Sequence, residues 1–110
     1  MRTLRFIVDD QIIKLDPSCD FSNLVPGSEG YIQAEFVFSH EWNGCTKVAG
    51  FSNSFSGKEY PPQVLRDGRT CRIPLEATKR EKFKVWVIGK KEGLKISTNK
   101  VEVIQNGGRN

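Results

Sequence analysis

One histidine, three cysteines and one methionine are all that the 110-residue chain holds of the side chains that most often carry metal, redox or nucleophilic chemistry. His40 and Cys45 lie five residues apart and could meet across a turn. Cysteine catalysis also needs a thiol of lowered pKa, a group that orients the histidine and an oxyanion site, and the surrounding residues signal none of these. Cys19, Cys45, Cys71 and His40 have the donor types of a zinc site but not the short spacings, such as C-x-x-C, that structural zinc sites use. The adjacent Asp9 and Asp10 would point to opposite faces of a strand, so they do not converge as an acid and base. A glycine-lysine phosphate loop between strand and helix is missing too. These gaps point away from an enzyme and from any bound metal or cofactor.

Long apolar runs are lacking as well. Nothing approaches the roughly 18 consecutive apolar residues of a membrane span. The opening segment Met1 to Asp10 has an early positive charge, but Arg5 breaks its apolar run and two aspartates end it, so it reads as a strand and not as a signal peptide. The expected location is a cell's cytoplasm or a particle assembled inside a cell. An odd number of cysteines in such a chain reads as free, buried thiols.

What the chain does hold is charge, unevenly placed. Residues 1–55 carry four Lys/Arg against seven Asp/Glu, and residues 56–110 carry thirteen against six, so a net charge of +4 divides into −3 and +7. An acidic partner would be steered towards the basic half.

Alternation of apolar and polar residues with period two dominates, and no helical period persists over ten residues. Thr3 to Val8 is a strand, followed after Asp9-Asp10 by a short one at Gln11 to Leu15. Asp16 to Gly30 is a long, turn-rich connection anchored by Phe21, Leu24 and Val25. Gly30 to Ser39 is the cleanest strand, with Ile32, Ala34, Phe36 and Phe38 on one face. His40 to Gly44 makes a turn into a strand over Thr46 to Asn53, whose Ala49 and Phe51 oppose Val48. Pro61-Pro62 cannot donate to a ladder, so that segment is an edge or leaves the sheet. Asp67-Gly68 predicts a hairpin between Gln63-Val64-Leu65 and Thr70 to Ile73. Pro74 to Lys79 gives the one helical turn. Lys82 to Gly89 alternates again and turns at Gly89 to Gly93 into Leu94 to Thr98. Val101 to Ile104 continues after a break at Asn99-Lys100.

The expected fold is therefore all-β: an immunoglobulin-like β-sandwich of about seven or eight short antiparallel strands with one helical turn. One domain spans residues 1–105, and the Gly/Asn-rich residues 106–110 read as a flexible tail. On the strand from Lys82, the residues Lys84, Trp86 and Ile88 point away from Phe83, Val85 and Val87. Lys82, Lys84, Trp86, Lys90, Lys91 and Lys95 are the candidate partner-binding face, cations around an aromatic anchor. A protein partner fits this face best. Nucleic acid, held by phosphate contact and stacking, is the weaker reading, and a homo-oligomer is compatible with either.

The stretch Gly30-Tyr31 … Phe36-Val37-Phe38-Ser39-x-Glu41-Trp42-x-Gly44-x-x-Lys47-Val48-Ala49-x-Phe51, then Cys71-x-Ile73-Pro74-x-Glu76, Phe83-x-Val85-x-Val87-x-Gly89 and Ile96-Ser97-Thr98-Asn99-x-Val101-x-Val103, resembles a known domain. It is similar to the N-terminal domain of upper baseplate and tail-fibre proteins of phages and prophages of Gram-positive bacteria. The resemblance implies an immunoglobulin-like sandwich that docks onto a virion scaffold, with Trp42, Gly44, Phe51 and Asn99 as structural members of the motif. Those proteins continue into a linker and receptor-binding part, whereas this sequence ends at Asn110. The expected function is a phage protein-binding module, a small baseplate, tail or head component. The alternative is an inhibitor of a host nuclease or effector complex, such as an anti-CRISPR protein.

Overall fold

A computed structural model describes residues 1–105 as two β-sheets packed face to face. Strands β1 (Arg2–Asp9), β2 (Ile12–Leu15), β3 (Ile32–Phe38) and β6 (Thr70–Arg72) form the first sheet in the order β2-β1-β3-β6. Strands β4 (Thr46–Asn53), β5 (Gln63–Val64), β7 (Lys82–Lys91), β8 (Leu94–Ser97) and β9 (Val101–Ile104) form the second. Its order is β5-β4-β7-β8, and β9 follows β8 along the same side of β7. The architecture is the expected all-β sandwich. The expected tail at 106–110 lies outside the described residues.

The alternation read from the sequence sets the core. Leu4, Phe6 and Val8 of β1 share the inner face of the first sheet with Ile32, Ala34 and Phe36 of β3, and from the second sheet Ala49, Phe51, Phe83, Val85 and Val87 meet them, all buried. Phe6 stacks on Phe36 with centroids 5.3 Å apart. The connection 16–31 closes over this pair: Phe21 meets Phe6 edge-on at 5.8 Å, and Leu24 is buried. Val25, expected as a third anchor, is instead 51% exposed. Arg2 ties the same connection down, its guanidinium donating to the carbonyls of Asp20, Ser22 and Asn23.

Four features differ from the sequence reading. Nine strands are present among the described residues, more than the seven or eight expected, although each falls on a segment already read as extended. Not all pairs are antiparallel: β1 and β3 run parallel from Arg2↔Ile32 to Val8↔Phe38, since β2 folds back on β1 and the long connection returns the chain to the starting end. The segment His40–Trp42 forms a 3₁₀ turn in addition to the helical turn α1 (Leu75–Thr78). Lastly, β5 and β6 do not form a hairpin. β5 pairs with β4 and β6 with β3, so Asp67-Gly68 carries the chain from one sheet to the other. The turn chemistry itself is as expected, because the Asp67 carboxylate accepts from the Arg69 and Thr70 amides and the Thr70 hydroxyl, and Gly68 takes a φ of 79°. Longer partners capture both short flanks.

Two residues of the proposed motif join the sheets at one end. Trp42 is fully buried, packs tilted against Phe38 with centroids 5.1 Å apart and donates its indole N–H to the Asp10 carbonyl at 2.8 Å. Gly44, with a φ of 81°, releases the chain from the 3₁₀ turn in a conformation that a side chain would strain. Asn99 acts as a short artificial strand: its Oδ1 accepts the Ile13 N–H at 2.7 Å and its Nδ2 donates to the Ile13 carbonyl at 3.2 Å. The Asn99 backbone N–H also donates to the Gln11 carbonyl. Phe51 is core, 6.4 Å from Phe83. No described helix is long and apolar enough to cross a membrane.

Candidate functional site: the outer face of the five-stranded sheet

Strand β7 supplies the centre of this face. Phe83, Val85 and Val87 point into the sandwich, so Lys82, Lys84, Trp86, Ile88 and Lys90 point out. Register with β4 places Thr46 beside Lys90, Val48 beside Ile88, Gly50 beside Trp86 and Ser52 beside Lys84. Gly50 decides how Trp86 lies: a Cβ at that position would overlap the Cε2, Cζ2 and Nε1 atoms of the indole, so its absence lets the ring settle onto the strand. Trp86 is left only 8% exposed.

The break between β8 and β9 completes the cover. Thr98 donates its backbone N–H to the Val87 carbonyl at 3.1 Å, and its hydroxyl accepts the Val87 N–H at 3.0 Å. A side chain thus replaces one rung of the ladder, the edge strand bulges, and Lys100 comes to rest with Nζ 4.4 Å from the Trp86 ring centroid. On the opposite edge the segment after the Asn53–Gly57 turn runs back along β4, held by Tyr60 N–H to the Phe51 carbonyl. Pro61 and Pro62 then interrupt the pairing before β5.

Between these edges lies an open groove of about 570 Å³. Val48, Gly50, Tyr60, Pro62, Trp86 and Ile88 make an apolar floor and wall, with Thr46, Lys90 and Lys95 at one end and Glu59 at the other. Lys84 faces Glu102 across β7 and β9, whereas Lys90 faces Lys95 across β7 and β8. Lys95 also lines a second depression, which it shares with Asp10 and Glu41. No ion pair within 4.0 Å involves a lysine of this face among the described residues. On the outer face of the other sheet, by contrast, Arg5 reaches Glu35 at 2.8 Å and Asp16 at 3.6 Å.

Five of the six sequence candidates, Lys82, Lys84, Trp86, Lys90 and Lys95, share this face. Lys91 does not. The strand alternation carries it to the other side, where its Nζ donates to the Asn43 carbonyl at 3.1 Å and so caps the 3₁₀ turn. Lys82 sits at the far end, 6.0 Å from the ring of Phe55, a turn residue that is 82% exposed. The residues that sequence reasoning missed are Tyr60, Pro62 and Val48. Val48 was legible as an outward apolar residue, but Tyr60 and Pro62 arrive on a segment with no period to read.

The groups weighed for chemistry stay apart from the groove. His40 is exposed and its nearest acid is Glu41 at 4.0 Å. The three cysteines are unbridged. Burial, with a small push from Asp67, raises the Cys71 thiol to about 12, so it is held as a neutral thiol. Among the described residues no three His, Cys, Asp or Glu side chains gather where a metal ion could be held. No protein-family model, curated protein or solved structure matches the chain.

Proposed function

We propose that the chain is a protein-binding module that docks through the outer face of its five-stranded sheet. One observation carries this reading: an open apolar groove bordered by lysines without acidic partners, in a molecule whose other charged face pairs its own charges. Apolar surface gathered in a concavity and rimmed by polar groups is the usual anatomy of an interface. Nucleic acid is disfavoured as the occupant, because Trp86 is almost covered and carries an ammonium on its ring, so a base could stack there only by displacing Lys100.

The resemblance to the N-terminal domain of phage baseplate and tail-fibre proteins supports a virion setting, in which the docked partner is another structural protein. The role is then that of a small baseplate, tail or head component. Ile88→Glu places a charge in the groove without touching the core. It is expected to abolish capture of the partner at an unchanged unfolding midpoint, whereas Val37→Glu on the opposite sheet leaves capture intact. Equal capture by Ile88→Glu and the native chain sinks the docking face. Fixed stoichiometry in purified particles supports the virion role. Absence from particles, with tight binding to a host nuclease complex, replaces it with inhibition of host defence.

A further inference from the structure

Lys90 and Lys95 stand directly opposite each other in the β7–β8 ladder. Residues so placed have Cβ atoms roughly 5 Å apart, and like charges there destabilise a sheet. The chain uses the alternative elsewhere on the same face, where β7 sets Lys84 opposite Glu102 of β9. Both lysines are exposed, neither has an acidic partner within 4.0 Å among the described residues, and both border the apolar groove at the same end. Glu59 marks the opposite end, so the groove is electrically polar along its length.

From this juxtaposition we infer that the groove takes an extended acidic segment of a protein partner, with an apolar side chain on the floor and a carboxylate between Lys90 and Lys95. The inference rests on the docking reading above and adds to it the chemistry of the occupant. Charge complementarity selects the acid, because two ammonium groups held together gain most from one shared anion. The floor selects the apolar residue, because Val48, Tyr60, Trp86 and Ile88 offer a partly closed hydrophobic seat. From the Tyr60 segment across β4 and β7 to β8 is three inter-strand steps of about 4.8 Å, roughly 14 Å, which matches about four residues of extended chain. The apolar residue and the carboxylate therefore belong to one short stretch.

The test is selection of short random peptides displayed against the immobilised full chain, followed by affinity measurements on the native protein and on Lys95→Glu, Lys90→Glu and Ile88→Glu. Enriched peptides are expected to carry net negative charge and an apolar residue within four positions. They are expected to weaken by about tenfold or more on each variant. Lys90→Glu also turns the repulsive pair into an attractive one and lies outside the depression that Asp10 and Glu41 share with Lys95, so its unfolding midpoint should equal or exceed that of the native chain, which separates lost binding from lost folding. Neutral or basic peptides that bind the native chain and are lost on Ile88→Glu overturn the acidic occupant and leave the docking face standing. Peptides that bind Ile88→Glu as well as the native chain overturn both. A library that yields no binder overturns the peptide occupant. A single-stranded oligonucleotide that binds more tightly than every selected peptide and is lost on Lys95→Glu overturns it in favour of nucleic acid.

Discussion

Gly50 and Gly89 hold their places because a tryptophan lies against each. A Cβ at Gly89 would fall 2.7 Å from Cζ3 of Trp42, and one at Gly50 would overlap the Trp86 indole. The two sites should respond unequally. Trp42 is fully buried and tied by its N–H to Asp10, so it cannot yield, whereas Trp86 is on the outer face under the Lys100 ammonium and can lift towards solvent. Overpacking of this kind costs about 1–3 kcal/mol. Gly89→Ala is expected near the upper end and Gly50→Ala near the lower, read as urea midpoints, with a shift of tryptophan emission in Gly50→Ala. Asp67 gives a second prediction at this scale. The Thr70 hydroxyl, the Thr70 amide and the Arg69 amide hold its carboxyl at about 2. Because the folded value lies below the ordinary 3.8, the stabilisation is complete above that pH and is lost as pH falls from about 3.8 to about 2. The difference in stability between the native chain and Asp67→Ala should therefore shrink through that window in acid titrations followed by circular dichroism.

At the scale of elements, Asn99 is the residue whose loss should be felt farthest from itself. Asn99→Ala removes two hydrogen bonds from the Ile13 backbone and is expected to cost about 1–3 kcal/mol, with faster hydrogen exchange at the Ile13 amide as the local signature. The break at Asn99-Lys100 was readable from the sequence, but its purpose was not, because the partner lies 86 residues away. The same contrast runs through the fold. The face of β3 follows from the alternation of Ile32, Ala34 and Phe36, a signal contained within the strand. The partners of β5 and β6 do not follow from Asp67-Gly68, because a turn dipeptide fixes local geometry while pairing is decided by the longer β4 and β3. Lys91 marks a different shortfall: its neighbour Lys90 points outward, so the period of two already assigned it to the other side. In the candidate site, Lys84, Trp86, Lys90 and Lys95 were legible from that period. The groove itself was not, since the Tyr60 to Pro62 wall depends on how an edge segment folds back over β4.

For the whole molecule, the polarity of charge along the sequence becomes a polarity of surfaces. The lysines of β7, β8 and the β8–β9 bulge gather on one sheet, while Arg5, Glu35 and Asp16 neutralise one another on the other. Such a field acts at a distance, so it governs encounter more than residence. Raising ionic strength from about 0.05 to about 0.5 M is expected to slow association with the partner roughly tenfold and to leave dissociation nearly unchanged, as surface plasmon resonance would show. The clasp between Asn99 and Ile13 has its own consequence, set in time. A ribosome adds about 5–20 residues per second, so the first hairpin waits about 4–17 s after its own synthesis before the side chain that secures it exists. Throughout that interval Ile13 has no Asn99 to pair with, and the order of synthesis makes the docking sheet, built largely from the second half of the chain, the last part of the sandwich to close.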